Sequence, residues 1–174
     1  AALDSTRELD RFLANVERRA FRLAEIALRD AEDALDAVQD SMLQLATRYA
    51  DRPPAEWRPL FYRILNNRIH DFQRRRRVRN RVLAWLPGRH ADLPEEGDPL
   101  DNLPDSAPLP PEELQGREAL VMLERALAAL PARQQQAFML RTFEGLDVAE
   151  TAVAMGCSEG SVKTHHFRAV QALR

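Results

Sequence analysis

Apolar residues recur at helical spacing along most of the chain, and each unbroken pattern predicts a helix. The first pattern follows Ser5 and Glu8, which have the three-residue spacing of a capping box. Its apolar positions are Leu9, Leu13, Val16, Ala20, Leu23 and Ala27. A second helix is predicted from about Asp30 to Ala50, with the apolar stripe Leu35, Val38, Met42, Leu45 and Tyr49. Its opposite face is acidic and carries Asp33, Asp36 and Asp40.

A third helix is predicted from about Ala55, because Pro53 and Pro54 end the second one. Its apolar positions favour a core role and comprise Trp57, Leu60, Phe61, Ile64, Leu65, Ile69 and Phe72. The helix then enters an arginine run, Arg74 to Arg77. Four consecutive like charges repel one another without a counter-charge, so the run favours a nucleic-acid surface over a merely solvated helix end.

Shorter helices are predicted near the carboxyl end. One carries Leu120, Leu123, Leu127 and Leu130 and stops at Pro131. The next covers roughly 132–143 and ends at Gly145, a candidate left-handed cap. No stretch alternates convincingly as a strand would, so the predicted fold class is all-α.

The final two helices have the spacing of a helix-turn-helix. Asp147 and Glu150 open the first by reciprocal capping, and Ser158 caps the second, which runs to Arg174. Such a motif needs a small residue at the helix crossing, a glycine in the turn and a branched apolar anchor, and these needs are met by Ala152, Gly156 and Val162. The second helix would present to DNA the side chains of Glu159, Ser161, Lys163, Thr164, Phe167 and Arg168. The alternative is an ordinary helical hairpin.

Charge and proline divide the chain into two modules. Residues 91–113 hold six prolines, eight acids and no base, which predicts an extended acidic linker. Residues 1–90 carry 18 arginines against 13 acids, whereas residues 114–174 are nearly neutral. The net charge of -2 therefore conceals one cationic and one anionic region with different partners.

Several functional classes are disfavoured by composition. No window is long and apolar enough for a membrane span, and no secretory signal is visible, so we expect a cytoplasmic protein. The single cysteine, Cys157, excludes an internal disulfide and is expected to be a small packed residue rather than a redox sensor. We expect no metal and no cofactor, because the four histidines lack suitably spaced ligands.

Three segments together resemble the bacterial sigma factors of the small extracytoplasmic-function (ECF) group. DAEDALDAVQDSMLQLA is similar to that family's polymerase-binding helix, and LFYRILNNRIHDFQRRRR to its promoter-melting helix. LPARQQQAFMLRTFEGLDVAETAVAMGCSEGSVKTHHFRA resembles its carboxyl-terminal DNA-reading domain. The resemblance implies a region 2-like domain over 1–90, a linker over 91–113 and a region 4-like domain over 114–174. It implies core RNA polymerase, promoter DNA and an anti-sigma factor as partners.

The resemblance also implies roles for individual residues. Polymerase contact falls on Asp36, Gln39, Asp40 and Leu43. Contact with melted DNA at the minus-ten element falls on Trp57, Arg63, Asn67, His70, Asp71, Arg74, Arg75, Arg76 and Arg77, with a flipped base held at the loop 51–57. The minus-thirty-five element would be read as duplex by the six residues assigned to the recognition helix. The linker would thread the polymerase's active-site channel.

The chain departs from the family pattern at three places. Leu35 to Ala37 are extra residues between the DAED and VQD motifs, which shifts the polymerase-contact register. Leu60 and His166 stand where tryptophan and an apolar residue are usual.

Two other functions fit parts of the sequence. A stand-alone helix-turn-helix regulator would share the SVKTHH stretch, but the first module lacks the strands of a receiver domain. A nuclease would need Asp30, Glu32 and Asp33 to converge, which their helical positions oppose. We therefore expect no enzymatic activity.

Overall fold

The computed structural model describes residues 2–86 and 110–174, which contain seven α-helices, one π-helical turn and no strand. The all-α prediction is confirmed. The helices are α1 (Ala2–Leu28), α2 (Ala31–Arg48), α3 (Pro54–Trp85), α4 (Pro111–Ala129), α5 (Ala132–Phe138), α6 (Val148–Met155) and α7 (Glu159–Ala172), and the π-helical turn is Met139–Phe143.

Helices α1, α2 and α3 form the N-terminal module, packed around an apolar core. Phe12 of α1 lies against two aromatic rings of α3, with centroids 6.0 Å from Trp57 and 6.2 Å from Phe61. The predicted core positions Phe61, Ile64 and Ile69 are buried, as expected from their spacing. Such large buried side chains each stabilise the bundle by roughly 1.5–3 kcal/mol.

Two details of this module differ from the prediction. Helix α1 begins at Ala2, so Ser5 lies within the helix and is not its N-cap. In α2, Leu35 is 44 % exposed, whereas Ala34 and Ala37 are buried. Small side chains allow neighbouring helices to approach closely, so the alanines and not Leu35 face the core.

The C-terminal module is built from α4 to α7. Asp147 and Glu150 form the predicted capping box, with hydrogen bonds of 2.7 and 2.9 Å. Gly145 has the predicted positive φ, 65°. The predicted helix over 132–143 is instead split, because its last five residues form the π-helical turn.

The last three residues of the predicted linker are helical in the structure. Helix α4 starts at Pro111, so residues 111–113 belong to a helix and not to the linker. Proline is well suited to the first turn of a helix, where its missing N–H has no partner to lose. Residues 87–109 lie outside the described residues.

The two modules contact each other through α3 and α6, with a smaller contact between α1 and α4. Arg22 of α1 and Glu124 of α4 form an ion pair at 2.6 Å across the boundary. Among the helices described, none combines the length and apolar character that crossing a membrane requires.

Candidate nucleic-acid interface

Helices α6 and α7 form the predicted helix-turn-helix. Gly156 ends α6 with φ 63° and ψ 41°, the left-handed conformation that glycine adopts without steric cost. The N–H of Cys157 then donates to the carbonyl of Ala152 at 3.1 Å, which closes the turn. The Ser158 hydroxyl accepts from the N–H of Ser161 at 3.1 Å and so caps α7. Val162 is fully buried, as its anchoring role requires.

The outward face of α7 carries the side chains predicted to read DNA. Glu159, Lys163, Thr164, Phe167 and Arg168 are exposed, and Ser161 is half-buried beside its cap partner. Phe167 is 61 % exposed, which is unusual for a large apolar side chain. Inward, Val162 and Ala169 hold the helix on the module. The outward face of α7 is therefore open and has no partner helix packed over it among the described residues.

His166 fits the half-buried, usually apolar position by acting as an aromatic ring. Its imidazole stacks on Phe138, with the centroids 6.1 Å apart and the planes at 16°. Burial lowers the pKa of His166 from its ordinary 6.5, and the charge of Arg141 lowers it further. The neutral ring packs as an apolar residue would, so this departure from the family pattern does not disturb the docking of α7.

The second half of α3 presents a cationic surface. Arg63, Asn67 and His70 are exposed on successive turns. Asp71 is half-buried and lies 3.6 Å from Arg74. Beyond them, Arg75 and Arg77 are exposed, and the structure pairs neither with an acid of the described residues. This part of α3 has the charge and the exposure for phosphate contacts.

Arg76 differs from its neighbours because it holds the module together. It donates from Nη1 to the carbonyl of Leu28 at 2.7 Å and from Nη2 to Asp33 at 2.9 Å. It thereby caps the carboxyl end of α1 and ties α3 to the first turn of α2. Gln73 supports the same helix end by donating to the carbonyl of Ala27 at 3.2 Å.

Trp57 is a core residue. It is 1 % exposed, and its indole N–H donates to the carbonyl of Tyr49 at 3.1 Å. A ring in this position has no face open to a base, so it has a structural role in place of the predicted DNA contact. The predicted loop 51–57 is only partly a loop, because its last four residues form the first turn of α3. Residues 51–56 are nevertheless all exposed. The hydrogen bond from Trp57 to Tyr49 ties the start of α3 to the end of α2 on either side of this exposed segment.

The residues predicted to bind polymerase share one face of α2. Asp36, Gln39, Asp40 and Leu43 follow at steps of three, one and three residues, and all four are exposed. Leu43, 65 % exposed, places an apolar side chain beside two carboxylates. The structure brings these four residues together despite the three-residue difference from the family's motif.

Two of the carboxylates considered for a nuclease have structural partners. Asp30 is the N-cap of α2, accepting from the N–H of Asp33 at 2.9 Å. Asp33 in turn pairs with Arg76. Neither side chain is positioned as a free metal ligand.

A polar contact between the modules escaped sequence prediction. The Tyr62 hydroxyl donates to Glu144 at 2.5 Å, and both side chains are buried. Burial raises the pKa of Tyr62 far above its ordinary value, and the charge of Glu144 and their hydrogen bond raise it further. The hydroxyl therefore stays protonated as a donor. The partners are 82 positions apart, so no local pattern announces the pair.

Known proteins match this chain in sequence, one family model over its C-terminal part and two curated relatives over most of its length. A family model described as "Sigma-70, region 4" matches residues 120–173. The ECF RNA polymerase sigma factor SigM of Mycobacterium tuberculosis (strain H37Rv) is 30% identical over 165 residues, which cover 92% of this chain and 72% of SigM. The RNA polymerase sigma-E factor of Streptomyces avermitilis is 27% identical over 167 residues, 96% of this chain and 83% of that protein.

Two solved structures resemble the chain across both modules. CnrH, in complex with the cytosolic domain of CnrY, aligns with a TM-score of 0.60 and 18% identity, over 99% of this chain and 91% of CnrH. The sigma factor RpoE of Bartonella quintana, in complex with the anti-sigma factor NepR, aligns with a TM-score of 0.59 and 22% identity, over 94% of this chain and 92% of RpoE. Similarity through both modules does not favour a stand-alone helix-turn-helix regulator. The chain belongs to the ECF family of RNA polymerase sigma factors, which act in transcription initiation.

Proposed function

We propose that this chain binds core RNA polymerase through α2 and directs it to promoters by reading DNA with α3 and α7. The observation that carries the proposal is the exposure of three chemically different surfaces on three helices of one chain. The first is the α2 face of Asp36, Gln39, Asp40 and Leu43. The second is the cationic end of α3, and the third is the polar face of α7.

Each surface suits a different step of initiation. The α2 face offers two carboxylates and Leu43 to a polymerase surface of opposite charge. The α7 face reads duplex DNA at the minus-thirty-five element, where Lys163 and Arg168 supply positive charge. This ordering assigns recruitment to the first surface and upstream recognition to the third.

Promoter melting is assigned to α3. Arg75 and Arg77 neutralise phosphates of the non-template strand, and Asn67 and His70 offer hydrogen bonds to unpaired bases. We assign the flipped base to the exposed segment 51–56 before Trp57. Capture of single-stranded DNA shifts the equilibrium towards the open promoter without any covalent chemistry, so the chain acts as a binding subunit and not as an enzyme.

The partners and location follow from the same proposal. RpoE of B. quintana is found with an anti-sigma factor. The likeness of this chain to it supports an anti-sigma partner here. A partner of RNA polymerase acts in the cytoplasm, so we assign the chain to that compartment. The acidic segment 91–110 would occupy the basic active-site channel of the enzyme.

The experiment that tests the proposal measures promoter opening at several salt concentrations. Changing both Arg75 and Arg77 to Ala should weaken opening and leave polymerase binding intact. For promoter opening with equilibrium constant K, the plot of log K against log salt concentration has a negative slope. Its steepness should decrease by about 0.7 for each lost phosphate contact with a single strand. The matched control changes the exposed α1 arginines Arg11 and Arg18 to Ala. An unchanged slope, or an equal effect of the control, would contradict the role of α3.

A further inference from the structure

Glu144 is the one charged residue that is buried among the described residues, with 5 % of its surface exposed. It belongs to the C-terminal module, just after the π-helical turn, yet its hydrogen-bond partner Tyr62 belongs to α3 of the N-terminal module. Two cations border the same place. Arg19 and Arg58 line a cavity beside Glu144, and a methyl group on Gly145 would lie 4.0 Å from Arg58 Nη2.

A buried carboxylate is costly, because it loses its hydration on entering the interface. Hydrogen bonding and nearby cations offset that cost, but an apolar pair of similar size would hold two modules together at least as well. A second polar contact is similarly incomplete. Asn66 donates to the carbonyl of Ala154 at 3.4 Å, while its Oδ1 has no donor among the described residues. Such an interface gains hydration when it opens, so it resembles a separable contact more than a permanent core.

The closed arrangement also conflicts with the distance between promoter elements. Helix α7 packs on α6, and α6 packs on α3, so roughly 20 Å separates the two DNA-reading helices at 8–10 Å per helix contact. Elements centred at minus ten and minus thirty-five are about 25 base pairs apart, or roughly 85 Å at 3.4 Å per step. The segment between Leu86 and Pro110 has a contour length of about 80 Å, so it is long enough for the modules to part.

We infer that the Tyr62–Glu144 contact is a releasable latch, which keeps the two modules closed until polymerase separates them. The inference rests on the proposed function and adds a regulatory element to it. The α2 face is exposed in the closed arrangement and can meet polymerase, but the complex that spans both promoter elements needs the modules apart. The cost of opening the latch therefore lowers the apparent affinity for polymerase.

The test weakens the latch without disturbing the core. Tyr62→Phe combined with Glu144→Gln removes the hydroxyl and the charge while keeping the shape of both side chains. Unlike an apolar pair, it leaves a buried amide at position 144 without its hydrogen-bond donor, which disfavours the closed arrangement. The matched control is Glu118→Gln, which removes one charge from an exposed position of α4. Circular dichroism melting of each full-length chain verifies that both modules remain folded. Tyr62→Phe alone serves as a milder variant if the double variant unfolds.

Two measurements on these chains decide the matter. Small-angle scattering should give the wild type a radius of gyration of about 16 Å, the value for a compact chain of this length, and the double variant a clearly larger one. Polymerase titration should show about 5- to 10-fold tighter binding of the double variant, as expected when a minor open state becomes the major one. The control should match the wild type in both.

An unchanged radius for the double variant would show that the contact is no latch, and an increased radius with unchanged polymerase affinity would show that it has no regulatory effect. Either result overturns the inference. Failure of every chain to bind polymerase would instead refute the proposed function, and the scattering result would still report on the contact itself.

Discussion

Helices α3 and α7 are both assigned to promoter DNA, yet the fold uses them differently. Helix α3 is 32 residues long, and its first half supplies Trp57, Phe61 and Tyr62 to the core and to the contact between modules. Helix α7 has 14 residues and buries only Val162 and Ala169. Its remaining side chains leave a continuous outward face.

A sequence motif predicts surface residues most directly on a helix that contributes little to the core. None of the six residues predicted on α7 is buried. On α3, two of the predicted DNA contacts are used by the fold, since Trp57 lies in the core and Arg76 caps α1. Residues on a helix that is both core and interface must therefore be sorted by burial and partners before they are assigned to DNA.

The comparison is tested most strongly by two aromatic residues. Trp57→Ala should lower the free energy of unfolding by about 3–5 kcal/mol, because it leaves a cavity in the N-terminal module. Phe167→Ala should change it by less than about 0.5 kcal/mol, because the ring is exposed. Urea unfolding followed by circular dichroism gives both values. Similar losses for the two variants would mean that α7 is not the freer helix.

Two neighbouring arginines on α3 also differ in whether they support the fold, with smaller expected effects on the free energy of unfolding. Arg76→Ala should destabilise the chain by about 1–3 kcal/mol, since it breaks the hydrogen bond to Leu28 and the ion pair with Asp33. Arg75→Ala should stay within about 0.5 kcal/mol of the wild type. The two chains are compared by urea unfolding at the same salt concentration. Equal stability of both would remove the structural role given to Arg76.

The turn before α7 depends on one glycine. Gly156→Ala should cost about 1–2 kcal/mol from backbone strain alone, because nothing lies within 4 Å of an added Cβ. Gly160→Ala is the matched control within α7, where alanine should stabilise by up to about 1 kcal/mol. The melting temperatures of the two variants should therefore shift in opposite directions from that of the wild type. A shift in the same direction would argue against the left-handed turn.

The smallest expected effect concerns pH. Because the folded state lowers the pKa of His166, the unfolded chain binds a proton more readily near pH 6, and stability should fall as pH decreases through about 6.5. His166→Gln should reduce the difference in melting temperature between pH 7.5 and pH 5.5. His165→Gln is the neighbouring control. If both variants behave as the wild type does, the stacked ring is not responsible for any pH dependence.

Local patterns predicted much of the fold because they act over a few residues. The capping box at Asp147, the left-handed Gly156 and the buried anchor Val162 all follow from chemistry within one turn of chain. The exposed face of α7 follows from them by helical periodicity.

Local patterns could not predict the contacts between residues that lie far apart in the sequence. The Tyr62–Glu144 pair and the capping of Leu28 by Arg76 join residues 82 and 48 positions apart. The exposure of Leu35 depends on which face of α2 its neighbours cover, and the π-helical turn likewise had no local signature. Only the packing of the modules reveals these features.

The central claim is that the exposed α2 face binds core RNA polymerase. The most direct measurement is size-exclusion co-elution of the full chain with core polymerase, alongside Asp40→Arg and the matched exposed-acid control Glu17→Arg. The account predicts stoichiometric co-elution for the wild type and the control, and loss of the complex for Asp40→Arg. Absence of co-elution for the wild type at micromolar concentration, or equal retention of all three chains, would contradict it.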